Sequence, residues 1–187
     1  MSAIAPELLD LVNGAPELCG ALQRLLEHIA KAKTHKSAMT PTTFAELEKG
    51  LMERVMELGV QAELELVRAA DSSAPQVRYG QKLFNFIERS PTAVYTPFGC
   101  GTLMRGLYRQ AGVHNGPTLA PVQLRCGLFE DLTPGAASLT GFLLALTTSR
   151  EAEAVLKKLA IRGFSRSTLE RKGHAVGERL EQERDVM

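Results

Sequence analysis

The sequence predicts an α+β fold in three consecutive parts: N-terminal helices that include one long helix, a small antiparallel β-meander, and a C-terminal helical unit of helix-turn-helix type. Three observations carry this. Over residues 43–70, Phe44, Leu47, Leu51, Val55, Leu58 and Ala62 recur at steps of three and four with charges between them, the spacing of an amphipathic helix. After residues 71–75, rich in Ser, Ala and Pro, the composition turns abruptly aromatic and β-branched, which is strand composition. Over residues 149–183, SREAEAVLKKLA, IRGF and SRSTLERKGHAVGERLEQE read as helix, four-residue turn and helix. The expected domains are a helical region at 1–72 with a capacity for oligomerisation, the meander and its loop at 76–128, and the helical unit at 132–185.

Taken in order, residues 7–12 and 16–33 have helical spacing, the second with Leu18, Leu22, Leu25, Leu26 and Ile29 on one apolar face. The polar stretch 34–40 reads as a linker. The long helix at 43–70 exceeds the usual globular length, so it is expected either to pack within its own chain or to pair with a copy of itself. The meander should contain about four short strands, punctuated at Gly80-Gln81, Ser90-Pro91 and Gly99-Cys100-Gly101. Pro97, which has no amide proton, belongs at a strand edge or end. On the last strand Leu103, Arg105, Leu107 and Arg109 alternate onto one face, with Met104, Gly106 and Tyr108 on the other. Of Tyr79, Phe84, Phe86 and Tyr108, most should be core. Residues 111–121 read as loop, and a helix at 133–147 starts favourably on Pro134.

In the closing helix pair, Ser149 is the expected cap of the first helix, and Ala152, Val155, Leu156 and Leu159 its buried stripe. Gly163 supplies positive φ for the turn, with Ile161 and Phe164 covering the joint. A capping box is expected at Ser167 to Glu170, with Leu169, Gly173, Val176 and Leu180 inward. The opposite face should carry Arg166, Thr168, Arg171 and Lys172. Such a helix suits a DNA groove, because guanidinium groups bind guanine bidentately while hydroxyls and N-terminal amides hold phosphates. The candidate DNA-binding residues are Arg105, Arg109, Arg150, Arg162, Arg166, Ser167, Thr168, Arg171 and Lys172.

With 187 residues and 44% hydrophobic composition the chain can bury a core, and its net charge of +1 excludes a uniformly basic coat. The charge is uneven. Residues 1–75 hold seven Lys or Arg against eleven Asp or Glu, whereas residues 76–125 hold six against Glu88 alone. Three widely spaced cysteines fit neither a secreted disulfide framework nor a metal site, so a reducing, cytoplasmic setting is expected. No basic leader is seen, and the longest apolar run, residues 142–146, falls far short of the roughly 20 residues that span a bilayer. No membrane role is therefore expected.

Catalytic patterns are weak. Cys100 and His114 lack a third orienting group, and Cys100 reads as part of a Gly-flanked turn. His28, His35, His114 and His174 are scattered and read as surface residues, so no metal or other cofactor is expected. Gly99-Cys100-Gly101 is too short to cradle phosphate, and Glu46, Glu48, Glu53 and Glu57 sit among Lys49 and Arg54 as surface charge. No catalytic residue and no enzymatic activity are expected.

Several ordered motifs resemble the N-terminal part of ISKra-type bacterial insertion-sequence transposases. They are Tyr95-Thr96-Pro97-Phe98-Gly99 followed by Leu103, Arg105, Tyr108 and Arg109; Leu119-Ala120-Pro121 with Leu124 and Gly127; Leu132-Thr133-Pro134 with Ala136-Ala137; Arg150-Glu151-Ala152-Glu153 with Leu156 and Leu159; and Ser165-Arg166-Ser167-Thr168-Leu169-Glu170-Arg171. The Glu-rich helix before them is similar to that family's amino-terminal region. The resemblance implies recognition of double-stranded DNA at element ends, with a homodimer or a full-length transposase as protein partner. A later nuclease domain of the DDE type carries the family's metal-binding carboxylates. Since this chain stops at Met187, the expectation is a truncated or domesticated transposase-like protein that binds DNA without cutting it. The alternative is a non-catalytic protein-interaction or oligomerisation module.

Overall fold

A helix whose inward stripe alternates small and polar residues lies close to its neighbour but seals little apolar surface, and this governs the first third of the chain. The computed structural model describes residues 13–34 and 39–184, with the side chains of 183 and 184 left aside. The expected helix at 7–12, most of the 34–40 linker and His35 lie outside them. Helix α1 (Pro16–Thr34) and helix α2 (Pro41–Ala69) run antiparallel. His28 Nε2 lies 2.8 Å from the Leu47 carbonyl oxygen, Arg24 pairs with Glu57 at 2.7 Å, and Arg68 pairs with Glu17 at 3.0 Å, which sets the register. The His28 ring rests where a Cβ on Gly50 would be, so this histidine is built into the hairpin rather than left on the surface.

Helix α2 begins two residues earlier than expected. Pro41 occupies its first turn, and Thr40 and Thr43 satisfy each other's amides in a capping box, at 3.2 Å and 2.7 Å. Its only fully buried residues, Val60, Leu64 and Val67, are in its C-terminal half.

The sheet is an antiparallel meander in the order β1 (Gln76–Tyr79), β2 (Lys82–Thr96), β3 (Gly99–Gln110) and β4 (Thr118–Leu119). The turn at Gly80-Gln81 follows the sequence pattern, but two punctuation marks do not, so residues 76–110 form three strands rather than about four, and β4 lies in the stretch expected to be loop. Ser90-Pro91 is not a turn: β2 runs through it, with Pro91 opposite Met104. Strand β1 pairs only with residues 82–85, so β2 is an edge at Pro91 and its missing donor costs no ladder bond. Gly99-Cys100-Gly101 is also strand, and the tight turn is Pro97-Phe98 just before it. A Cβ on Gly101 would lie 2.5 Å from a Leu64 methyl and 2.9 Å from Val60. The glycine is there so that α2 can settle on β3.

Residues 71–75 are less a linker than a strap. Asp71 pairs with Arg89 at 2.5 Å and accepts from the Gly106 amide at 3.2 Å, while the Tyr108 hydroxyl donates to the Ser72 and Ala74 carbonyls at 3.0 and 2.9 Å. Tyr108 is buried as expected, but Tyr79 and Phe86 are exposed.

The remaining helices are α3 (Pro121–Arg125), α4 (Pro134–Leu146), α5 (Ser149–Lys158) and α6 (Arg166–Arg184). Thr133 caps α4, its hydroxyl accepting from Ala136 N at 3.3 Å with Pro134 at the first position. Two cores result. One joins Val60, Leu64 and Val67 to Val94 and Leu103 of the sheet and Val122 of α3. The other is helical, built on Leu132, Ala136, Ala152, Leu156, Ile161, Phe164, Leu169 and Val176, with Met56 and Tyr95 packed against it.

Leu64 is fully buried between α2 and the glycine-lined strand. Leu64→Ala is expected to cost about 2–5 kcal/mol, read as a lowered urea midpoint with unchanged m-value.

Candidate nucleic-acid interface

The C-terminal unit is a three-helix arrangement in which α6 packs on both α4 and α5. Its local caps differ from the sequence reading. Thr148, not Ser149, caps α5: its hydroxyl accepts from Glu151 N at 3.3 Å, and the Glu151 carboxylate accepts from Thr148 N at 2.9 Å. That hydrogen bonding holds the Glu151 carboxyl below its usual range. Ser149 is thereby freed to donate to Glu170 of α6 at 2.7 Å. Ser165 opens α6, accepting from Thr168 N at 3.2 Å, so the box expected at Ser167 to Glu170 does not form. Glu170 instead holds Ser149 and Arg166.

The connection spans residues 159–165. Gly163 has φ +97°, and a Cβ there would stand 2.3 Å from the Cys100 Cβ, so glycine is required twice over. Ile161 and Phe164 are buried and close the joint as expected. Cys100 N donates to the Arg162 carbonyl at 3.0 Å, which ties the turn to β3. Ala152 and Leu156 form the buried stripe of α5, but Val155 and Leu159 are exposed. On α6 Leu169 and Val176 face inward, Gly173 lies against Leu144, and Leu180 is exposed, against expectation.

Lys172 is the largest correction. It was expected on the exposed basic face, yet only 3% of it is accessible. Its Nζ donates to the Glu130 carbonyl and sits 4.7 Å above the Tyr95 ring. Glu130 and Asp131 have φ of 52° and 61°, a turn that presents this carbonyl inward. Burial lowers the Lys172 pKa, and the Asp131 carboxylate works against that shift. The signal was present in the sequence: Lys172 lies three residues after Leu169 and four before Val176, within the apolar stripe.

Arg105 has a similar history. Alternating with Leu103 and Leu107 on β3, its guanidinium is turned inward, with Nη1 3.6 Å from Asp131 Oδ1. Asp131 is shared with Thr92 Oγ1 at 3.4 Å and Gln123 Nε2 at 3.3 Å. Arg105 Nε and Nη1 and Arg109 Nε are buried without a hydrogen-bond partner. Neither side chain projects freely from the sheet.

The other candidates stay on the surface. Arg162 pairs with Glu53 at 3.1 Å and Arg166 with Glu170 at 2.9 Å. Thr168 is half-buried, its hydroxyl 2.9 Å from that of Ser165. Arg150 and Arg171 are exposed and, among the described residues, form no ion pair. Ser167 is exposed at the first turn of α6, its hydroxyl 3.1 Å from Ser165 Oγ. Arg150, Ser167 and Arg171 are thus the exposed donors least committed within the chain.

No protein-family model, curated protein or solved structure matches this chain. The site is therefore read from its chemistry. Burial raises the Cys100 thiol above 9.0, with Lys172 opposing, so the sulfur is held protonated at neutral pH rather than activated. Among the described residues no His, Cys, Asp or Glu cluster has metal-binding geometry, and no helix is long and apolar enough to cross a membrane.

Lys172→Ala should destabilise the chain by about 2–4 kcal/mol, since it removes the partner of the Glu130 carbonyl and leaves a cavity where a buried side chain stood. Lys172→Met isolates the charge. Because the folded pKa lies below the 10.5 of a free lysine, the unfolded chain binds more protons between the two values. The stability of the wild type relative to Lys172→Met should therefore rise with pH across that window, measured by urea unfolding; a flat difference would contradict the assignment.

Proposed function

We propose that the α5–α6 unit binds double-stranded DNA, with the N-terminal turns of α6 entering a groove and Arg150, Ser167 and Arg171 making the first contacts. The observation that carries the reading is the exposure of these donors around the start of α6, with no ion pair among the described residues holding either arginine. A helix N-terminus adds its own partial positive charge there, which favours phosphate. Arg166 and Arg162 join the contact by exchanging Glu170 and Glu53 for phosphate, a swap between charged partners that costs little at the surface. Lys172, Arg105 and Arg109 act beneath the surface, holding the helix unit and sheet in place. The resemblance of the ordered motifs to those of insertion-sequence transposases supports a transposase-like role in recognising element ends. Cleavage plays no part in the proposal.

The test is a gel-shift titration against double-stranded DNA flanking the gene. Affinity should fall steeply with salt, because each neutralised phosphate releases counterions. Arg171→Ala should cost about 1–3 kcal/mol and relax sequence preference if it reads a base, or lower the salt slope by about 1 if it holds a phosphate. Lys172→Met should bind like the wild type wherever the chain is folded. Affinity that ignores salt, Arg150→Ala and Arg171→Ala alike would refute the proposal.

A further inference from the structure

The α1–α2 hairpin has two unlike sides. Along its inner seam Leu18, Ala21, Leu25 and His28 meet Leu47, Gly50, Arg54 and Glu57, and of these only Ala21 is fully buried. Leu22, Leu26 and Ile29 of α1 and Phe44, Leu51 and Val55 of α2 form a separate set at helical spacing, each 37–57% exposed. Ile29, Phe44 and Leu51 line the same apolar groove, so the two stripes share one side of the hairpin. The body of the protein attaches elsewhere. Glu53, Met56 and Val60, which meet Arg162, the helical core and the sheet, stand close to half a helical turn away from Leu51 and Val55. Among the described residues nothing covers the apolar side.

We infer that this side is a dimer interface, and that its occupant is the same side of a second copy of this chain. At about 200 Å² per large apolar residue, the six side chains expose roughly 550 Å² per copy, or about 1,100 Å² for a pair. That just clears the roughly 1,000 Å² expected of a biological interface and fits a reversible dimer of micromolar affinity. A two-fold axis along the hairpin lays α1 of one copy over α2 of the other, closing a four-helix bundle from two incomplete halves. Lys33 continues the α1 stripe and Glu48 the α2 stripe, both toward the connected end of the hairpin, so in the two-fold pair a cation of each copy lies at the same end as an anion of the other. The pairing stands independently of whether α6 binds DNA.

Sedimentation equilibrium of the full chain without DNA tests it. Up to about 100 µM the wild type should shift from 20.3 kDa toward twice that mass. Leu26→Glu and Val55→Glu should each hold it at 20.3 kDa, while Phe142→Glu, on the exposed face of α4, should leave the dimer intact. A wild type that stays monomeric overturns the inference, as it would if residues 1–12 covered this side. So does a dimer that survives both hairpin variants, or one lost with Phe142→Glu. If a hairpin variant loses helix content, hydrogen exchange of the wild type decides instead. Protection at residues 22–29 that rises with protein concentration supports the interface, and concentration-independent protection overturns it.

Discussion

One residue pair joins the parts of this molecule: the ammonium of Lys172 lying over the ring of Tyr95. Tyr95 is held at both backbone atoms, its amide donating to Asp131 O at 2.8 Å and its carbonyl accepting from Thr133 N at 2.9 Å. Its ring packs edge-on against Phe164 with centroids 5.3 Å apart. The end of β2 is thereby bound to the 130–133 loop, the turn before α6 and α6 itself. A buried cation is costly, and the hydrogen bond to Glu130 O, the charge of Asp131 and the aromatic face offset part of that cost. Burial of the same cluster raises the Tyr95 hydroxyl above 10.0, so the phenol stays neutral beside the charges it helps to seat.

Around this hub the chain divides its work between backbone proximity and side-chain filling. Gly101 and Gly163 are approached so closely, by Leu64 and by Cys100, that any side chain would separate the parts they join. Where the helix unit meets β3, the contact is thus partly a backbone contact, made by the Arg162 carbonyl and the Cys100 amide beside the side-chain contacts of Tyr95 with Phe164 and Lys172. This fixes α5 and α6 against the meander without a large apolar interface. Arg105 and Asp131 sit partly buried at this junction, which is itself partly polar, and the two charges answer each other.

For the candidate interface the consequence is a change of roles. Cations expected to form one surface fall into three kinds: inward tethers such as the buried Lys172 and the partly buried Arg105, surface arginines already paired with Glu53 or Glu170, and Arg150 and Arg171, which form no ion pair among the described residues. Only the last kind offers its full electrostatic attraction to an anion without first losing a partner. The net effect is a small basic footprint rather than a broad one, in keeping with a chain whose overall charge is +1.

Much of the fold was legible because helical and strand periodicities are local. The long helix, the antiparallel meander with its Gly80-Gln81 turn, the start of α4 on Thr133-Pro134 and the Gly163 turn all follow from residues within a few positions of one another. So does the inward position of Lys172 on the Leu169–Val176 stripe, although its charge masked it. Tertiary structure decided what periodicity cannot reach. Pro91 stays within a strand because β1 is too short to lie beside it, and Gly99-Cys100-Gly101 is strand because a distant helix needs its missing side chains. Thr148 rather than Ser149 takes the cap, and Ser149 reaches Glu170 across the turn. The sequence by itself determined which side chains share a face of each element; only the fold decided which faces are covered and what stands opposite, because burial and charge compensation depend on partners far away in the chain.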